Sequence, residues 1–124
     1  MSECHEPIFT LTENLIKNGK ETAQVMFGTK RGSVAGHRTD AWFYAPPTFL
    51  KAHWCMSITN AAWLCLHHME HYRYTLDKEF LKTRALPVLR ETALFFVDWL
   101  VPDPRSGKLV SGPTASPENR FKVN

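Results

Sequence analysis

The chain has 124 residues, of which 44% are hydrophobic and 22% charged, and its formal net charge is +3. This composition is that of an ordinary globular protein and excludes collagen-like and fully disordered chains. The basic residues are scattered, with Lys30-Arg31 as their longest cluster, whereas a nucleic-acid-binding protein usually gathers them on one face. No apolar run approaches the ~18 residues that a membrane span needs. We therefore expect neither a nucleic-acid nor a membrane partner.

The first predicted element is a helix over residues 4–27. Pro7 suits a first helical turn. Apolar residues then follow at helical spacing: Ile8, Leu11, Leu15 and Ile16. Asn18-Gly19 indicates a break or a C-cap, after which an apolar stripe resumes up to Gly28.

Residues 28–49 are predicted to form a long loop, because glycines and prolines punctuate them without a clear period. The loop carries polar and aromatic side chains, namely His37, Arg38, Asp40, Trp42, Phe43 and Tyr44. Long loops of this kind are often functional. We interpret residues 28–49 as one of two functional loops, the other being residues 101–124.

A long, mostly buried helix is predicted over residues 50–75, which contain neither glycine nor proline and repeat apolar residues at three and four. Cys55 and Cys65 fall within it, and ten residues at ~1.5 Å each would separate them by roughly 15 Å. A disulfide needs Cα atoms within about 7 Å. With Cys4 as the third cysteine, we expect no disulfide framework.

Asp77 is predicted to cap a new helix. Because Pro87 cannot lie deep in a helix interior, we expect a short helix to about Arg84 and a second one to Leu100. Residues 101–104 then end the helical region, with a turn at 106–107 and a possible short strand at 109–110.

The run His67-x-x-Glu70-His71 has the spacing of an inverted zinc-protease motif. On a helix, His67 and His71 share one face, as a zinc site would need. The sequence offers no convincing third ligand, so a zinc hydrolase is the less favoured alternative. A packed histidine cluster on the helix is the preferred interpretation, and we expect no metal and no cofactor.

Several motifs occur in order along the chain: ECHEP at 3–7, NGK at 18–20, TA at 22–23, VAGHRTDAW at 34–42, AWLC at 62–65, EHY at 70–72, DKEFL at 77–81, FFVD at 95–98 and SPENRF at 116–121. Together they resemble the catalytic domain of the α-L-fucosidases of glycoside hydrolase family 95. The stretch at 34–42 is similar to the family pattern His-His-Asn-Thr-Asp-x-Trp.

The resemblance implies an all-α fold, with residues 1–124 as a single fragment of an (α/α)6 six-hairpin barrel. It also implies an inverting enzyme that releases terminal α-L-fucose from a fucosylated oligosaccharide or glycan. Glu118 of the Ser-Pro-Glu-Asn motif would be the general acid, and Asp40 would belong to the base apparatus. The family further suggests a secreted protein, although the N-terminus of this chain has no apolar signal region.

The residues expected to bind substrate are His37, Arg38, Trp63 and Asn119. Arg38 stands where the family pattern has Asn, and a guanidinium cannot accept a proton from water. Gly36 stands where the pattern has its first His. A non-catalytic, carbohydrate-binding relative that has lost its base site is therefore the leading alternative.

Each site residue also has a purely structural interpretation. Glu118 could be a solvated loop carboxylate, and Asp40 could bond backbone amides in a turn or pair with Arg38. Trp63 could pack between helices instead of stacking on a sugar. The other three tryptophans are predicted to be mostly core residues: Trp42, Trp54 and Trp99.

Overall fold

The computed structural model describes residues 2–47 and 56–112. Three main helices form this part of the chain: α1 (Glu6–Phe27), α2 (Asn60–Thr75) and α4 (Leu86–Trp99). A 3-10 turn, Ser2–His5, precedes α1. Between α2 and α4 lie the one-turn helix α3 (Lys78–Phe80) and a π-helical turn, Leu81–Ala85. The predicted all-α character is confirmed for the described residues.

Helix α1 is continuous, so the predicted break at Asn18-Gly19 is wrong. Gly19 is instead a point of close approach, because a Cβ there would lie 2.2 Å from the carbonyl oxygen of Val34. The helix ends at Gly28, which has a φ of 67° and donates its N–H to the carbonyl of Gln24. This left-handed glycine is a common helix terminator.

Helix α2 begins at Asn60, ten residues later than predicted, and residues 56–59 are not helical, with a turn at 58–59. Asn60 stabilises this turn by donating its side-chain amide to the carbonyl of Ser57 at 2.8 Å. Such local bonds of polar side chains compete with helix formation. The helix is also less buried than predicted, since its buried residues are Ala61, Cys65 and His68.

The single helix through Cys55 and Cys65, on which the exclusion of a disulfide between them rested, is therefore wrong. Cys55 lies outside the described residues, as does Trp54. Cys65 is a buried free thiol whose sulfur lies 3.4 Å from the Thr92 hydroxyl. Burial raises the pKa of this thiol, which keeps it protonated and unreactive.

The cap at Asp77 is confirmed, because its Oδ1 accepts the N–H groups of Glu79 and Phe80 at 2.9 and 3.0 Å. The predicted division before Pro87 takes a different form. The chain stays helical through a π turn in which the N–H of Leu86 reaches back to the carbonyl of Leu81. Widening the helix here accommodates a proline ring that would crowd the preceding turn of an α-helix.

After α4 a short antiparallel ribbon pairs β1 (Val101–Pro102) with β2 (Leu109–Val110). The predicted strand at 109–110 is confirmed, whereas its partner was not foreseen. Asp103 organises the connecting turn by accepting the N–H groups of Arg105 and Ser106 and the Ser106 hydroxyl. Nowhere in the described residues does a helix reach the length and apolarity that crossing a bilayer would require.

The core lies between α1, α2 and α4 and includes the start of the predicted loop. Val34 and Ala35 are buried and pack into two apolar clusters, with Phe95 and Ile58 in one and Ile16 and Cys65 in the other. A third cluster is centred on Phe9, Phe80 and Ala85. The loop is thus anchored in the core before it reaches His37.

Candidate functional site

The first anchor of the loop is Asp98 on α4. Its Oδ1 accepts two bonds from the Arg31 guanidinium, at 2.6 and 3.1 Å, and its Oδ2 accepts the N–H groups of Lys30 and Arg31. Two guanidinium N–H groups that converge on one carboxylate oxygen, with two backbone N–H groups on the other, fix orientation as well as position. The hydrogen bonds from Arg31 hold the pKa of Asp98 below its ordinary value, so the carboxylate stays charged at neutral pH.

Two glycines then let the loop pass through narrow spaces. At Gly32, which has a φ of 82°, a Cβ would lie 2.1 Å from the backbone nitrogen of Phe95. The next N–H, that of Ser33, donates to the carbonyl of Glu91 at 3.0 Å. At Gly36 the N–H donates to the carbonyl of Ala45 at 2.7 Å, and a Cβ would lie 2.7 Å from the Pro46 oxygen.

The closure at Gly36 bears on the departure from the family pattern noted above. A histidine at this position would place its Cβ against the Pro46 carbonyl, so the loop could not close in its present form. Residues 37–44 therefore project as a closed turn beyond Gly36.

A cleft of about 220 Å³ lies where this turn meets α1 and α2. We call it the Trp63 cleft. Ten residues line it: Leu11, Leu15, Ala35, Gly36, His37, Arg38, Thr39, Asn60, Trp63 and Leu64. The cleft brings together three of the residues predicted to bind substrate, His37, Arg38 and Trp63, although His37 and Trp63 are 26 positions apart in the sequence.

Polar groups in the Trp63 cleft lack partners among the described residues. Both ring nitrogens of His37 are buried there without a hydrogen bond. The exposed Arg38 makes no ion pair with any described carboxylate. Trp63 is 64% exposed, so in this part of the chain it does not serve as a packing residue between helices.

Asp40 lies beside a second cavity of about 440 Å³, together with Trp42 and Tyr44. Its Oδ1 accepts the backbone N–H groups of Trp42 and Tyr44 at 2.9 and 3.2 Å. This is the turn geometry that we gave as the structural alternative. The two cavities are lined by consecutive parts of one turn. A role for Asp40 in the base apparatus stays a prediction.

Glu118 and Asn119 lie outside the described residues, and their roles stay predictions. Trp42 was predicted to be a core residue and is 80% exposed, so that prediction is wrong. Trp99 packs against Phe27 and Phe95, with ring centroids 5.5 and 6.0 Å away. Sequence reasoning missed Thr39 and Asn60 as lining residues, although the first is part of the HRTD run.

The histidines of α2 lie in different environments. His67 is exposed, whereas His71 packs against the rings of Phe9 and Phe80 at 5.0 and 4.4 Å. His68, which was not part of the zinc motif, is fully buried. Among the described residues, no group of three or more histidines, cysteines or carboxylates is arranged to hold a metal ion.

Comparison with known proteins gives the class. Residues 1–124 match the family model of the glycosyl hydrolase family 95 catalytic domain. The chain is 42% identical over 119 residues to alpha-L-fucosidase 2 of Arabidopsis thaliana. It is 30% identical over 124 residues to probable alpha-fucosidase A of Aspergillus niger.

These matches place the chain among the catalytic domains of glycosyl hydrolases. The chain belongs to glycosyl hydrolase family 95. Each alignment covers 96% of this chain, which spans only 14% and 15% of the length of the two relatives.

Proposed function

We propose that the intact protein hydrolyses terminal α-L-fucosyl linkages of fucosylated glycans with inversion of configuration, and that this chain contributes part of an (α/α)6 barrel. The family match over residues 1–124 and the names of the two relatives support the reaction. The observation that carries the proposal is the Trp63 cleft, whose lining includes His37, Arg38 and Trp63.

Inverting hydrolysis needs one protonated carboxyl group at the leaving oxygen and one basic group across the sugar ring, with room for water between them. In this proposal Glu118 donates its proton to the glycosidic oxygen as the bond to the anomeric carbon breaks. Water attacks the opposite face of that carbon and loses a proton to the base apparatus. Burial beside the sugar would keep such a carboxyl protonated at neutral pH.

In this proposal the turn around Asp40 has a positioning task. Its Oδ1 is held by two backbone N–H groups, so the carboxylate cannot rotate freely. The other oxygen, Oδ2, has no hydrogen bond from a described residue and is free to orient a water or a neighbouring amide. A carboxylate that is fixed through one oxygen can use the other to orient the group that takes the proton from water.

The test is fucose release from 2′-fucosyllactose by the intact protein, compared with Glu118→Gln. Glu70→Gln is the matched control, because Glu70 is exposed and its one ion pair among the described residues is with the exposed Arg73. We expect a loss of activity of at least about 100-fold for Glu118→Gln, as for removal of a general acid, and none for the control. NMR of the first product should show β-L-fucose, and initial release of the α anomer would contradict inversion.

A second candidate function is carbohydrate binding without hydrolysis. The observation that favours it is the lining of the Trp63 cleft. The described residues that line this cleft include Arg38 and no Asp or Glu. This candidate predicts that the intact protein binds a fucoside but releases no fucose, and that Glu118→Gln leaves the affinity unchanged. Turnover that Glu118→Gln abolishes would exclude it.

A further inference from the structure

We propose that Arg38 selects glycans carrying an anionic substituent, a carboxylate or a sulfate ester, on the sugar that the Trp63 cleft binds. The inference rests on the proposed function, because it takes this cleft as part of the glycan-binding site. It goes beyond that function by naming the substrate chemistry and the residue that recognises it.

The charge balance of the described residues singles out Arg38. Four other arginines have carboxylate partners within 3.4 Å: Arg31 with Asp98, Arg73 with Glu70, Arg84 with Glu6 and Glu13, and Arg90 with Glu91. Arg105 is exposed on the ribbon turn, where water can solvate it. Arg38 is also exposed, but it is the one described arginine without a carboxylate partner that lines the Trp63 cleft.

The neighbouring Asp40 does not supply this missing charge. No ion pair joins Arg38 to Asp40, and the Oδ1 of Asp40 is occupied by backbone N–H groups. Asp40 also faces the second cavity, whereas Arg38 lines the Trp63 cleft.

The lining of the Trp63 cleft offers the guanidinium of Arg38 no carboxylate among the described residues. Four apolar side chains share the cleft wall with it: Leu11, Leu15, Ala35 and Leu64. A sugar that occupied the cleft would displace water from this guanidinium, and a charge that loses water is stable only when it is paired. An anionic group on the ligand would supply the partner that the protein lacks.

The other polar and aromatic groups of the cleft suit a sugar. Both ring nitrogens of His37 lack a described partner, and a neutral imidazole can donate to one hydroxyl and accept from another. Trp63 offers an exposed aromatic surface. The volume of about 220 Å³ is below the ~300–1,000 Å³ of pockets for drug-sized ligands, which indicates a single sugar ring.

Carboxylates and sulfate esters both present coplanar pairs of oxygens to a guanidinium, which binds them through two parallel hydrogen bonds. A lysine at the same place would act only as a point charge. Recognition by the planar guanidinium therefore predicts that arginine gives a higher affinity for the anionic ligand than lysine at this position. A purely electrostatic patch would not distinguish the two side chains.

The experiment measures binding by calorimetry to the intact protein carrying Glu118→Gln, so that no ligand is consumed. Three ligands are compared: methyl α-L-fucoside, its monosulfate esters, and methyl α-L-galacturonide, in which a carboxylate replaces the fucoside methyl group. Each is measured with Arg38 present, with Arg38→Asn and with Arg38→Lys. Arg105→Asn is the matched control, because Arg105 also lacks a carboxylate partner among the described residues but is not part of the cleft lining.

We expect at least one anionic ligand to bind roughly tenfold or more tightly than the neutral fucoside, as charge-assisted bidentate bonds do. Arg38→Asn should abolish this preference, Arg38→Lys should retain part of it, and Arg105→Asn should leave it unchanged. The preference should weaken as salt is raised. Comparison of the sulfate and carboxylate ligands then identifies which anion the cleft takes.

Equal affinity for neutral and anionic ligands, or a preference that survives Arg38→Asn, would overturn the inference. If Arg38→Asn does not fold, a preference that is unaffected by Arg38→Lys and by salt overturns it equally. The proposed function is judged separately, by fucose release with Glu118 intact. Release without anion preference overturns only the inference, whereas an Arg38-dependent preference without release supports the assignment of Arg38 and overturns the fucosidase proposal.

Discussion

Gly19 in the middle of α1 lies directly against Val34 in the loop that carries the candidate site. The N–H of Val34 donates to the carbonyl of Gly19 at 3.3 Å, and a Cβ on Gly19 would lie 2.2 Å from the Val34 oxygen. The Ser33 hydroxyl completes the contact by donating to the carbonyl of Ile16 at 2.7 Å. The absence of a side chain at one helical position therefore determines where the loop begins its path toward His37.

Gly19→Ala should destabilise the protein, although helix propensity alone predicts the opposite. In an exposed helix interior, alanine is better than glycine by about 0.5–1 kcal/mol. Here the added Cβ meets backbone atoms that cannot rotate away, and such overpacking typically costs about 1–3 kcal/mol. Urea unfolding should show a lower midpoint. Gly112→Ala, with nothing within 4 Å of its added Cβ, is the control and should be near neutral.

Asp98→Asn should lower stability at neutral pH and change how stability depends on pH. The Arg31 hydrogen bonds hold the pKa of Asp98 below its ordinary value. The stability that this carboxylate contributes is therefore present above its unfolded pKa of about 3.9 and is lost as the pH falls through the lower folded value. The difference between the wild-type protein and Asp98→Asn should shrink over the same range.

Urea unfolding of both proteins between pH 7 and pH 3 measures this difference. Glu70→Gln is the control, since the Glu70–Arg73 pair is exposed on both sides and such pairs contribute little. A difference that stays constant as the pH falls would show that the substitution at Asp98 disturbs packing and not an ionised contact.

The helices of this chain were largely predictable because their signals are local. The Asp77 cap and the end of α1 at Gly28 follow from backbone groups within one helical turn. Gly19 could not be interpreted correctly, because the residue that requires it is in a loop that packs across α1. The start of α2 was misplaced for a related reason: the amide of Asn60 bonds the carbonyl of Ser57 and so favours a turn.

The candidate site was predictable only in part. The resemblance pointed to His37, Arg38 and Trp63, and the fold brings these three to one cleft. It could not show that Gly36 leaves no room for a Cβ against Pro46, or that the oxygen of Asp40 is held by the amides of its own turn. Those facts depend on how the loop closes on itself, which no periodicity in the sequence records.

His68 should make the protein less stable as the pH falls below neutrality. It is fully buried, and this burial lowers its pKa from the ordinary value of about 6.5. Glu13, whose carboxylate lies 4.0 Å away, acts in the opposite direction, while Arg84 and His67 add to the lowering. Because the unfolded chain binds the proton more readily, stability is complete above about pH 6.5 and decreases as the pH falls toward the folded pKa.

Unfolding measured at pH 7.5, 6 and 5 tests this, with His68→Leu as the variant that cannot titrate. The slope that His68 contributes cannot exceed about 1.4 kcal/mol per pH unit, and His68→Leu should lack it. His5→Gln is the control, because His5 is exposed and is not among the groups that shift the pKa of His68. An equal slope in the wild-type protein and His68→Leu would assign the pH dependence to other groups.

Trp63→Ala should weaken substrate binding without reducing stability. Trp63 is 64% exposed and lines the cleft that also contains His37 and Arg38, so its removal leaves no cavity in the described core. Loss of aromatic stacking on a sugar should raise the KM for a fucoside by roughly three- to tenfold, on the scale of about 0.5–1.5 kcal/mol for aromatic contacts. Leu66→Ala is the matched control, because Leu66 is 59% exposed on the same helix but is not part of the cleft lining. Steady-state kinetics and thermal unfolding of the intact protein should be measured for both variants. A lower Tm with unchanged KM would identify Trp63 as a packing residue against the rest of the protein, which is the alternative that its sequence position left open.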